Sequence, residues 1–559
     1  MKKISSLLAI ISSSLLFAQA PTWNWVKQST GAINEAFACV TTDANGNVFA
    51  GGSIISETAD FGLGPVTTNG SADYSIIKYD TAGTPLWMRN GGGVGNEVVF
   101  SLTTDAENNV YALIRYESAT VTFGNFTLNC TLGSALGSNP PLPSDVALVK
   151  YDTNGTVLWV KKIGGAERES SSAISIDSSG NVYVSAFSES NNITVGSSSI
   201  VVGSNSYVGA FLAKFNSAGN VLWIKRFGND NIYDGCRLSG LVFDDLGNFY
   251  LTGGFSSDTF TLGSTTYTNT AQGGYDAFIA KFDPSGNILQ QKVLQGTVDD
   301  SFGGVVKVQN DLFVPFGIRL YQISNSATYS FDGVDYSTTT STGGLFKLDL
   351  NLQFLGLVPN INFPGTVFTD GATLYLAGNF SEPTRTFGDF TLTNTNSSTT
   401  VPTGDIFIAN MDTSGQFLWA KSAGGTGSDD PLGFAIDTDG NIFAAGYFNS
   451  TSCAFDNLTI SNSSQDYYVD AFLAKLNSAI LSNTDLNRET VTLYPNPTQN
   501  EVHIESANLL KKVIISDVNG RILDTQFEKT VNLTNLNTGI YFLTIETESG
   551  ISSHKIIKQ

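Results

Sequence analysis

One position, usually tryptophan, recurs at a nearly constant spacing and constrains the fold more than any other feature of the chain. The positions in this register are Trp25, Trp87, Trp159, Trp223, Gln290, Gly356 and Trp419. Their successive spacings are 62, 72, 64, 67, 66 and 63 residues. A fixed period of this kind indicates seven copies of one unit, each of which stacks on a neighbour to bury its apolar face.

Each copy contains four short apolar runs separated by turn residues. In the third copy the runs are 173–177, 182–187, 210–215 and 221–227. Runs of this length with turn residues at both ends predict β-strands. A chain of 559 residues also exceeds the size of a single compact core, which favours a repeat array. We therefore expect an all-β protein with four strands in each unit.

Two connections within the unit have hairpin chemistry. The first-to-second connection has Asp at its start and Asn at its end, as in 43–47, 105–109, 177–181, 244–248 and 437–441. The third-to-fourth connection follows Lys78, Lys150, Lys214 and Lys281, and Leu352 replaces its glycine in the fifth copy. Asp or Asn opening a turn that Gly closes is typical of hairpins. A calcium loop is the alternative, but Phe448 stands where the loop beginning at Asp437 would need a bidentate Glu.

The two ends of the repeat array predict how it closes. The last copy has three strands, 433–437, 442–448 and 471–476, but lacks the strand that carries the tryptophan. A spare strand of this type, residues 23–27, precedes the first copy. Four-stranded units that repeat seven times match a β-propeller, which hides its sheet edges by radial closure. We expect residues 23–27 to complete the seventh blade.

The repeated phrases are specific enough to compare with a known family. The phrase at 470–475, with the Gly-Asn-x-Leu-Trp and Gly-Gly that follow it in other copies, resembles the bacterial SBBP-type β-propeller repeat. The units here are longer than typical propeller repeats, because a Phe-Gly segment lies between the second and third strands, as at 61–62, 123–124 and 387–388. We interpret this segment as an extra hairpin on each blade.

Acidic residues recur where the long loops meet the strands. The first set lies at or near the start of the first strand and comprises Glu35, Glu97, Glu169, Asp234, Asp300 and Asp429. The second set opens the third strand and comprises Asp73, Asp145, Asp276, Asp405 and Asp470. Strand alternation places both sets on the same face. One hypothesis is an acidic ring that binds cations, with Ca²⁺ as the first candidate, or a basic or hydroxyl-rich ligand. The alternative is that these acids accept hydrogen bonds from loop amides.

The charge and the histidine content exclude several function classes. The chain has 50 acidic and 29 basic side chains, a balance that disfavours nucleic acid as a partner because phosphate contacts need clustered Lys and Arg. Its two histidines, His503 and His554, both follow the repeats, which leaves the repeats without a Ser-His-Asp or His-ligated metal site. A carboxylate-pair glycosidase remains as the enzymatic alternative. No catalytic residue and no cofactor are assigned.

The last seventy residues have a different pattern. The segment 494–497, Tyr-Pro-Asn-Pro, leads into alternating strands, and Asn519-Gly520 predicts a type I′ hairpin between 513–518 and 521–525. A small Ig-like β-sandwich is therefore expected. Its order of motifs closely resembles the type A C-terminal sorting domain of the type IX secretion system. The residues that carry the resemblance include Tyr494, Pro495, Asn496, Pro497, Gly520 and Gly539.

The chain begins with the features of a secretory signal peptide. Lys2 and Lys3 precede an apolar run over 7–17, and small residues follow at Ala18 and Ala20. No later segment is apolar for long enough to cross a membrane as a helix. The predicted domains are a signal peptide at 1–20, a seven-bladed propeller at 21–480, a linker at 481–487 and a sorting domain at 488–559.

Together these features predict a secreted or cell-surface protein that binds or adheres to an extracellular glycan or protein. The resemblance of the tail implies an outer-membrane translocon of the type IX system as a partner. A carboxylate-dependent carbohydrate-active enzyme is the first alternative. A passive surface-layer protein is the second.

Overall fold

The computed structural model is built from antiparallel β-sheets. It describes residues 21–131, 143–201, 209–228, 235–271, 274–320, 326–358, 361, 365–396, 402–463, 468–478, 492–506, 509–517, 521–547 and 551–559. The chain divides into two compact units, residues 1–479 and 480–559. The predicted signal peptide, the predicted linker, Asp234 and Gly520 lie outside the described residues.

The larger unit contains a series of antiparallel sheets. In all but the last sheet, four main strands lie side by side in the order in which they occur along the chain. The first four, called sheets 1 to 4 here, have these bounds: Glu35–Thr42, Val48–Ile54, Asp73–Tyr79 and Pro85–Gly91; Glu97–Thr104, Val110–Tyr116, Asp145–Tyr151 and Val157–Gly165; Glu169–Ile176, Val182–Ser188, Gly209–Phe215 and Val221–Phe227; Cys236–Phe243, Phe249–Phe255, Asp276–Phe282 and Ile288–Gly296. The four strands predicted for the third copy are confirmed in sheet 3.

Sheets 5 to 7 follow the same order with local differences. Their bounds are Asp299–Phe302 with Val306–Val308, Asp311–Arg319, Thr342–Asp349 and Phe354–Leu357; Thr366–Thr369, Leu374–Phe380, Asp405–Met411 and Phe417–Gly425; and Asp429–Ile436, Ile442–Phe448 and Asp470–Leu476. Sheet 5 has a first strand in two pieces that both pair with Asp311–Arg319. In the same sheet Leu352 takes the glycine position of the turn at φ 59° and is fully buried.

The fourth strand of sheet 7 comes from the beginning of the described chain. Trp23–Gln28 pairs antiparallel with Asp470–Leu476, with Val26 opposite Ala474. The predicted pairing of residues 23–27 with the last unit is therefore confirmed. The first strands also make a continuous series of contacts, in which Glu35–Thr42 of sheet 1 lies against Glu97–Thr104 of sheet 2 and against Asp429–Ile436 of sheet 7. Sheet 7 thus contacts sheet 1 as consecutive sheets contact each other.

A short hairpin separates the second and third strands of each sheet, as the Phe-Gly segments predicted. The hairpins are Thr58–Asp60 with Pro65–Thr67, Thr120–Phe123 with Phe126–Asn129, Asn192–Val195 with Ser198–Val201, Thr259–Leu262 with Thr265–Thr268, Ala327–Phe331 with Val334–Thr338, Thr384–Phe387 with Phe390–Thr393, and Ser452–Phe455 with Leu458–Ser461. Several of them extend the fourth strand of the preceding sheet. Asn192–Val195, for example, pairs with the end of Val157–Gly165.

The core of the larger unit lies between neighbouring sheets rather than within one sheet. One apolar cluster joins Tyr111 and Leu148 of sheet 2 to Val184 and Phe211 of sheet 3. Another joins Trp25 and Phe443 of sheet 7 to Phe37 of sheet 1. Since each sheet buries both faces against its two neighbours, no sheet has a complete core by itself.

The smaller unit contains two antiparallel sheets. Their strands are Thr492–Tyr494, Glu501–Glu505 and Thr530–Asn532 in one sheet, and Leu510–Ser516, Ile522–Gln526, Gly539–Thr547 and Ile551–Lys558 in the other. Val502 and Val531 of the first sheet share a buried cluster with Val513, Leu543 and Ile556 of the second. The two sheets therefore pack face to face.

Candidate functional site

The acidic residues singled out in the sequence lie at one end of the sheets, called the loop rim here. The loop rim contains the second-to-third connections and the connections between sheets. Glu35 and Asp73, for example, each begin a strand there. All ten described members of the two acidic sets are at most 1% exposed: Glu35, Glu97, Glu169, Asp300, Asp429, Asp73, Asp145, Asp276, Asp405 and Asp470. The structure therefore places them inside the loop rim and not on its surface.

These acids meet in pairs across the junctions between sheets. The backbone N–H of each first-strand acid donates to the carbonyl of the residue before the third-strand Asp of the preceding sheet. The donor–acceptor distances are 3.0 Å for Glu35 to Val469, 2.8 Å for Glu97 to Ala72, 2.8 Å for Glu169 to Ser144, 2.6 Å for Asp300 to Tyr275 and 2.9 Å for Asp429 to Gly404. We call the resulting couples carboxyl pairs: Glu35–Asp470, Glu97–Asp73, Glu169–Asp145, Asp300–Asp276 and Asp429–Asp405.

The two carboxyl groups of the pair Glu97–Asp73 approach one backbone position. A Cβ added to Gly92, at the end of the preceding sheet, would stand 2.3 Å from Oε2 of Glu97 and 2.4 Å from Oδ1 of Asp73. The same construction at Gly164 would stand 2.3 Å from Oδ1 of Asp145. Only glycine fits at these two positions. The glycine four or five residues before each first-strand acid was the sequence signal that could have revealed the pairs.

Loop amides donate to Oδ2 of four third-strand Asp residues, and the N–H of Asn69 donates to both carboxyl oxygens of Asp73. The N–H of Thr131 donates to Oδ2 of Asp145 at 2.7 Å, and that of Ser463 donates to Oδ2 of Asp470 at 2.6 Å. The first-strand acids also accept from loop amides. The N–H of Gly425, for example, lies 2.7 Å from Oδ2 of Asp429. These contacts match the alternative interpretation, in which the acids order the loops.

In several pairs another carboxyl oxygen is buried and has no hydrogen-bond donor in the part of the chain that the structure describes. This holds for Oδ1 of Asp145, Asp276, Asp405 and Asp470, for Oε2 of Glu35 and for both carboxyl oxygens of Asp300. A buried acceptor without a donor is costly, and an ionised one is more so. Each of these pairs therefore lacks at least one donor that its geometry calls for.

Burial raises the pKa of several of the paired carboxyl groups. It raises the pKa of Glu35 to about 7, with Asp470 adding to the effect, and that of Glu169 to about 7. Burial and the neighbouring Asp276 together raise the pKa of Asp300 to about 9. Burial and the neighbouring Asp405 together raise the pKa of Asp429 to about 6. Loss of hydration and a like charge nearby both favour the neutral acid.

The pair Glu169–Asp145 differs because a basic side chain reaches it. Nζ of Lys162 lies 2.8 Å from Oδ2 of Asp145, and it also donates to the hydroxyl of Thr131. Lys162 stands opposite Ala147, the second residue after Asp145. The corresponding residue opposite Phe407 in sheet 6 is Ser422, and the one opposite Phe278 in sheet 4 is Val293.

The opposite end of the sheets, called the turn rim here, pairs acids with lysines. The Asp that opens a first-to-second turn faces the third-strand Lys of its own sheet. The N–O distances are 3.3 Å for Lys78 to Asp43, 3.0 Å for Lys150 to Asp105, 3.5 Å for Lys214 to Asp177 and 3.8 Å for Lys281 to Asp244. The Oδ1 atom of the same Asp accepts the turn amides, as at Asn45 and Asn47 for Asp43. The predicted turns are confirmed at these positions.

The recurrent tryptophan links the turn rims of consecutive sheets. Nε1 of Trp87 donates to the carbonyl of Thr153 at 3.1 Å, and the ammonium of Lys78 donates to the same oxygen at 3.2 Å. At the closing junction Trp25 and Lys475 both donate to the carbonyl of Thr81, at 3.2 and 3.3 Å. The tryptophan is therefore an anchor between sheets, and the closing junction repeats the contacts of an internal one.

The residues of the predicted sorting motif are tied to the last strand. The side-chain amide of Asn496 donates to the carbonyl of Lys555 at 2.8 Å and accepts from the N–H of Ile557 at 3.0 Å. Gly539 begins the strand Gly539–Thr547. His503 and His554 lie in strands of the two sheets of this unit.

Comparison with known proteins identifies the smaller unit. Residues 492–559 match the family described as the secretion system C-terminal sorting domain. This match indicates a secreted or outer cell-surface protein that uses the type IX secretion system. Among the described residues there is no helix long and apolar enough to cross a membrane.

The repeats have distant relatives among curated proteins. An uncharacterized WD repeat-containing protein of Acanthamoeba polyphaga mimivirus is 23% identical over 444 residues, which cover 74% of this chain and 30% of the relative. The regulatory protein FlaEY of Caulobacter vibrioides is 26% identical over 413 residues, which cover 66% of this chain and 40% of the relative. The chain thus spans well under half the length of the curated relatives it matches.

Solved structures resemble the chain only distantly. A polysaccharide lyase described as an ulvan lyase is 10% identical with a TM-score of 0.38, and the match covers 77% of this chain and 93% of the lyase. The extracellular region of plexin A4 is 8% identical with a TM-score of 0.32, over 96% of this chain and 62% of the plexin chain.

Proposed function

We propose that this protein is an extracellular binding or adhesion module built on a seven-bladed β-propeller of the SBBP type. The observation that most supports this proposal is the sorting domain at 492–559, which directs the protein to the outside of the cell. The propeller proposal is supported by the pairing of Trp23–Gln28 with Asp470–Leu476 and by the sheet-to-sheet contacts that return to sheet 1. In this proposal the smaller unit is an Ig-like sandwich, and the predicted signal peptide starts export.

The binding surface in this proposal is the exposed part of the loop rim. Loops on a rigid scaffold are where binding residues usually lie. Arg168 and Glu189 of sheet 3 form an ion pair there at 3.0 Å, with side chains 35% and 26% exposed. Such partly exposed polar groups suit a hydroxyl-rich glycan or a polar protein surface. The buried carboxyl pairs support this surface from beneath.

The burial of the carboxyl pairs disfavours the enzymatic alternative at these residues. A glycosidase needs two carboxyl groups that reach a sugar from the two sides of the scissile bond. Asp300 and Asp276 are fully buried, as are Glu35 and Asp470. A substrate has no access to these four side chains in the structure.

A glycan array and a hydrolysis assay on the full-length protein test the proposal. Binding without turnover supports a binding module, whereas turnover of a bound glycan favours the enzymatic alternative. Neither binding nor turnover, on glycans or on immobilised cell-surface extracts, contradicts the proposal and favours a passive surface-layer protein.

A pair of variants then locates the binding surface. Arg168→Ala on the loop rim is expected to weaken binding at least several-fold. The matched change on the turn rim, Leu246→Ala, removes a side chain that is 83% exposed and should leave binding unchanged. The reverse result contradicts the placement of the ligand on the loop rim.

A further inference from the structure

Three junctions bury two carboxyl groups together, without an ion-pair partner and with at least one carboxyl oxygen that has no hydrogen-bond donor among the described residues. They are the carboxyl pairs Asp300–Asp276, Glu35–Asp470 and Asp429–Asp405. All six residues are at most 1% exposed. No ion pair to any of the six side chains occurs within the described ranges of the chain, whereas Lys162 contacts Asp145 at the junction of sheets 2 and 3.

The junction of sheets 4 and 5 has the clearest geometry. The backbone N–H of Asp300 donates to the carbonyl of Tyr275, which brings Asp300 beside Asp276. Among the described residues, neither carboxyl oxygen of Asp300 has a donor, and Oδ1 of Asp276 has none. Oδ2 of Asp276 accepts from the N–H of Thr270 at 3.0 Å. Three buried oxygens at one junction therefore need a donor.

The titratable groups that act on Asp300 are all acidic. They are Asp276 on the third strand of sheet 4, Asp299 on its own strand and Tyr329 on the adjacent hairpin. Asp299 is engaged by the N–H of Tyr275, which donates to its Oδ1 at 2.8 Å. Two ionised carboxylates in this surrounding would repel each other at short range and low dielectric.

Burial and a like charge nearby both disfavour the state in which the two carboxyl groups of a pair are ionised together. One proton reduces both costs, since it removes one charge and supplies one O–H donor. The neutral acid then donates to the free oxygen of its partner. A hydrogen bond of this charge-assisted kind is short and is stronger than one between neutral groups.

We propose that each of these three junctions binds one proton, which the two carboxyl groups share, and that the resulting O–H···O hydrogen bond is a pH-dependent clasp between neighbouring sheets. One clasp, Glu35–Asp470, lies at the junction that closes the array onto its first sheet. The pair Glu169–Asp145 is the built-in contrast, because Lys162 supplies its positive charge.

The direction of the pH effect follows from the raised pKa values. A carboxyl group whose pKa is higher in the folded protein binds more protons when folded, so its contribution to stability decreases as the pH rises. For Glu35 this loss falls between pH 4.5 and about 7, and for Asp300 between pH 3.8 and about 9. The clasp is complete below these windows and is lost above them.

A divalent cation is the competing occupant of the same oxygens. Calcium prefers six to eight oxygen ligands. At these junctions, however, the N–H of Gly425 already holds Oδ2 of Asp429, and the N–H of Ser463 already holds Oδ2 of Asp470. The oxygens that are left free suit one proton better than a metal shell.

The test compares full-length wild type with Asp300→Asn by infrared spectroscopy and thermal unfolding, with EDTA or with added CaCl₂. Wild type should show the carbonyl band of a protonated carboxyl group at pH 7, and the band should weaken in the variant and in Asp276→Asn. The melting temperature of wild type should fall by several degrees from pH 5 to pH 9. Asp300→Asn should flatten this dependence, because its amide supplies the missing donor at every pH.

Asp335→Asn is the matched control, since Asp335 is an exposed strand residue of the neighbouring hairpin. It should keep both the band and the pH dependence of wild type. Three results overturn the proposal: no protonated carboxyl band in wild type at pH 7, a band whose intensity is unchanged in both Asp300→Asn and Asp276→Asn, or a CaCl₂-dependent rise in melting temperature that both variants abolish. The last result would assign the pair to a cation.

Discussion

The two rims bury the same residue type in opposite electrostatic settings. Asp105 on the turn rim and Asp300 on the loop rim are 8% and 0% exposed. For Asp105 burial alone would raise the pKa, but hydrogen bonds from Asn109 and Lys150 outweigh burial and lower the pKa. For Asp300 burial and Asp276 both act in the same direction and raise the pKa. Hydrogen-bond donors therefore offset the effect of burial at Asp105, whereas Asp300 has a like charge beside it and no such donor in the described part of the chain.

This difference means that the two rims respond oppositely to pH. The turn rim is stable above the ordinary pKa of Asp and weakens as the pH falls through the lowered pKa of Asp105. The loop rim is stable at low pH and weakens as the pH rises towards neutrality and above. The larger unit thus combines an acid-sensitive contact at Asp105 with an alkali-sensitive one at Asp300.

The largest expected effect comes from Lys150→Met on the turn rim. The ammonium of Lys150 lies 3.0 Å from Asp105, and the two side chains are 9% and 3% exposed. Removing one member of a buried pair leaves an uncompensated charge and costs about 3–5 kcal/mol. Chemical denaturation at pH 7 measures the loss in the free energy of unfolding.

Lys347→Met is its matched control. The pair of Lys347 with Asp311 has a similar distance, 2.9 Å, but its side chains are 28% and 30% exposed. A partly exposed pair contributes about 0–1 kcal/mol. Equal losses in the two variants would contradict the importance of burial on the turn rim.

The second largest expected loss of stability comes from Lys162→Met. This change removes the basic side chain from the junction of sheets 2 and 3, where Glu169 and Asp145 form a carboxyl pair. Lys162 contributes a charged hydrogen bond to Asp145, worth about 1.5–3 kcal/mol. The variant should lose this amount at pH 8 and less at pH 5, because Glu169, whose pKa is already about 7, then holds the proton of the pair. If the loss in the free energy of unfolding is the same at pH 5 and pH 8, a proton does not take the place of Lys162 at this pair.

The smallest expected effect is a difference in stability between variants of two tryptophans on the turn rim, Trp159 and Trp223. Nε1 of Trp159 donates to the carbonyl of Ser217 at 3.2 Å, whereas Nε1 of Trp223 is buried without an acceptor. Trp159→Phe should therefore cost about 1 kcal/mol more than Trp223→Phe, as expected for one hydrogen bond. Denaturation of both variants at pH 7 measures the difference. A larger loss for Trp223→Phe would show that packing outweighs the hydrogen bond.

The sequence predicted the strands and their order because the period and the turn residues are local signals. It also predicted that Trp23–Gln28 completes the last sheet, since one strand was missing there and one was in excess at the start. It did not predict that a hairpin such as Asn192–Val195 extends the preceding sheet, because that pairing depends on the distance between sheets.

The candidate site was harder to read from the sequence. The positions of Glu97 and Asp73 in the repeat predicted that both acids lie on one rim. Those positions alone could not predict that both side chains are buried. Burial follows from a third residue, Gly92, whose missing side chain leaves room for both carboxyl groups. The pairing across sheets likewise depends on which repeat is the neighbour in space.

In the proposed propeller the sheets close on one another through the strand Trp23–Gln28, which pairs with Asp470–Leu476. Hydrogen exchange measured by mass spectrometry on the full-length protein tests this closure. We expect the amides of residues 25–28 to be protected as strongly as those of the internal fourth strand Val157–Gly165. Exchange of residues 25–28 at the rate of an unstructured peptide would contradict it.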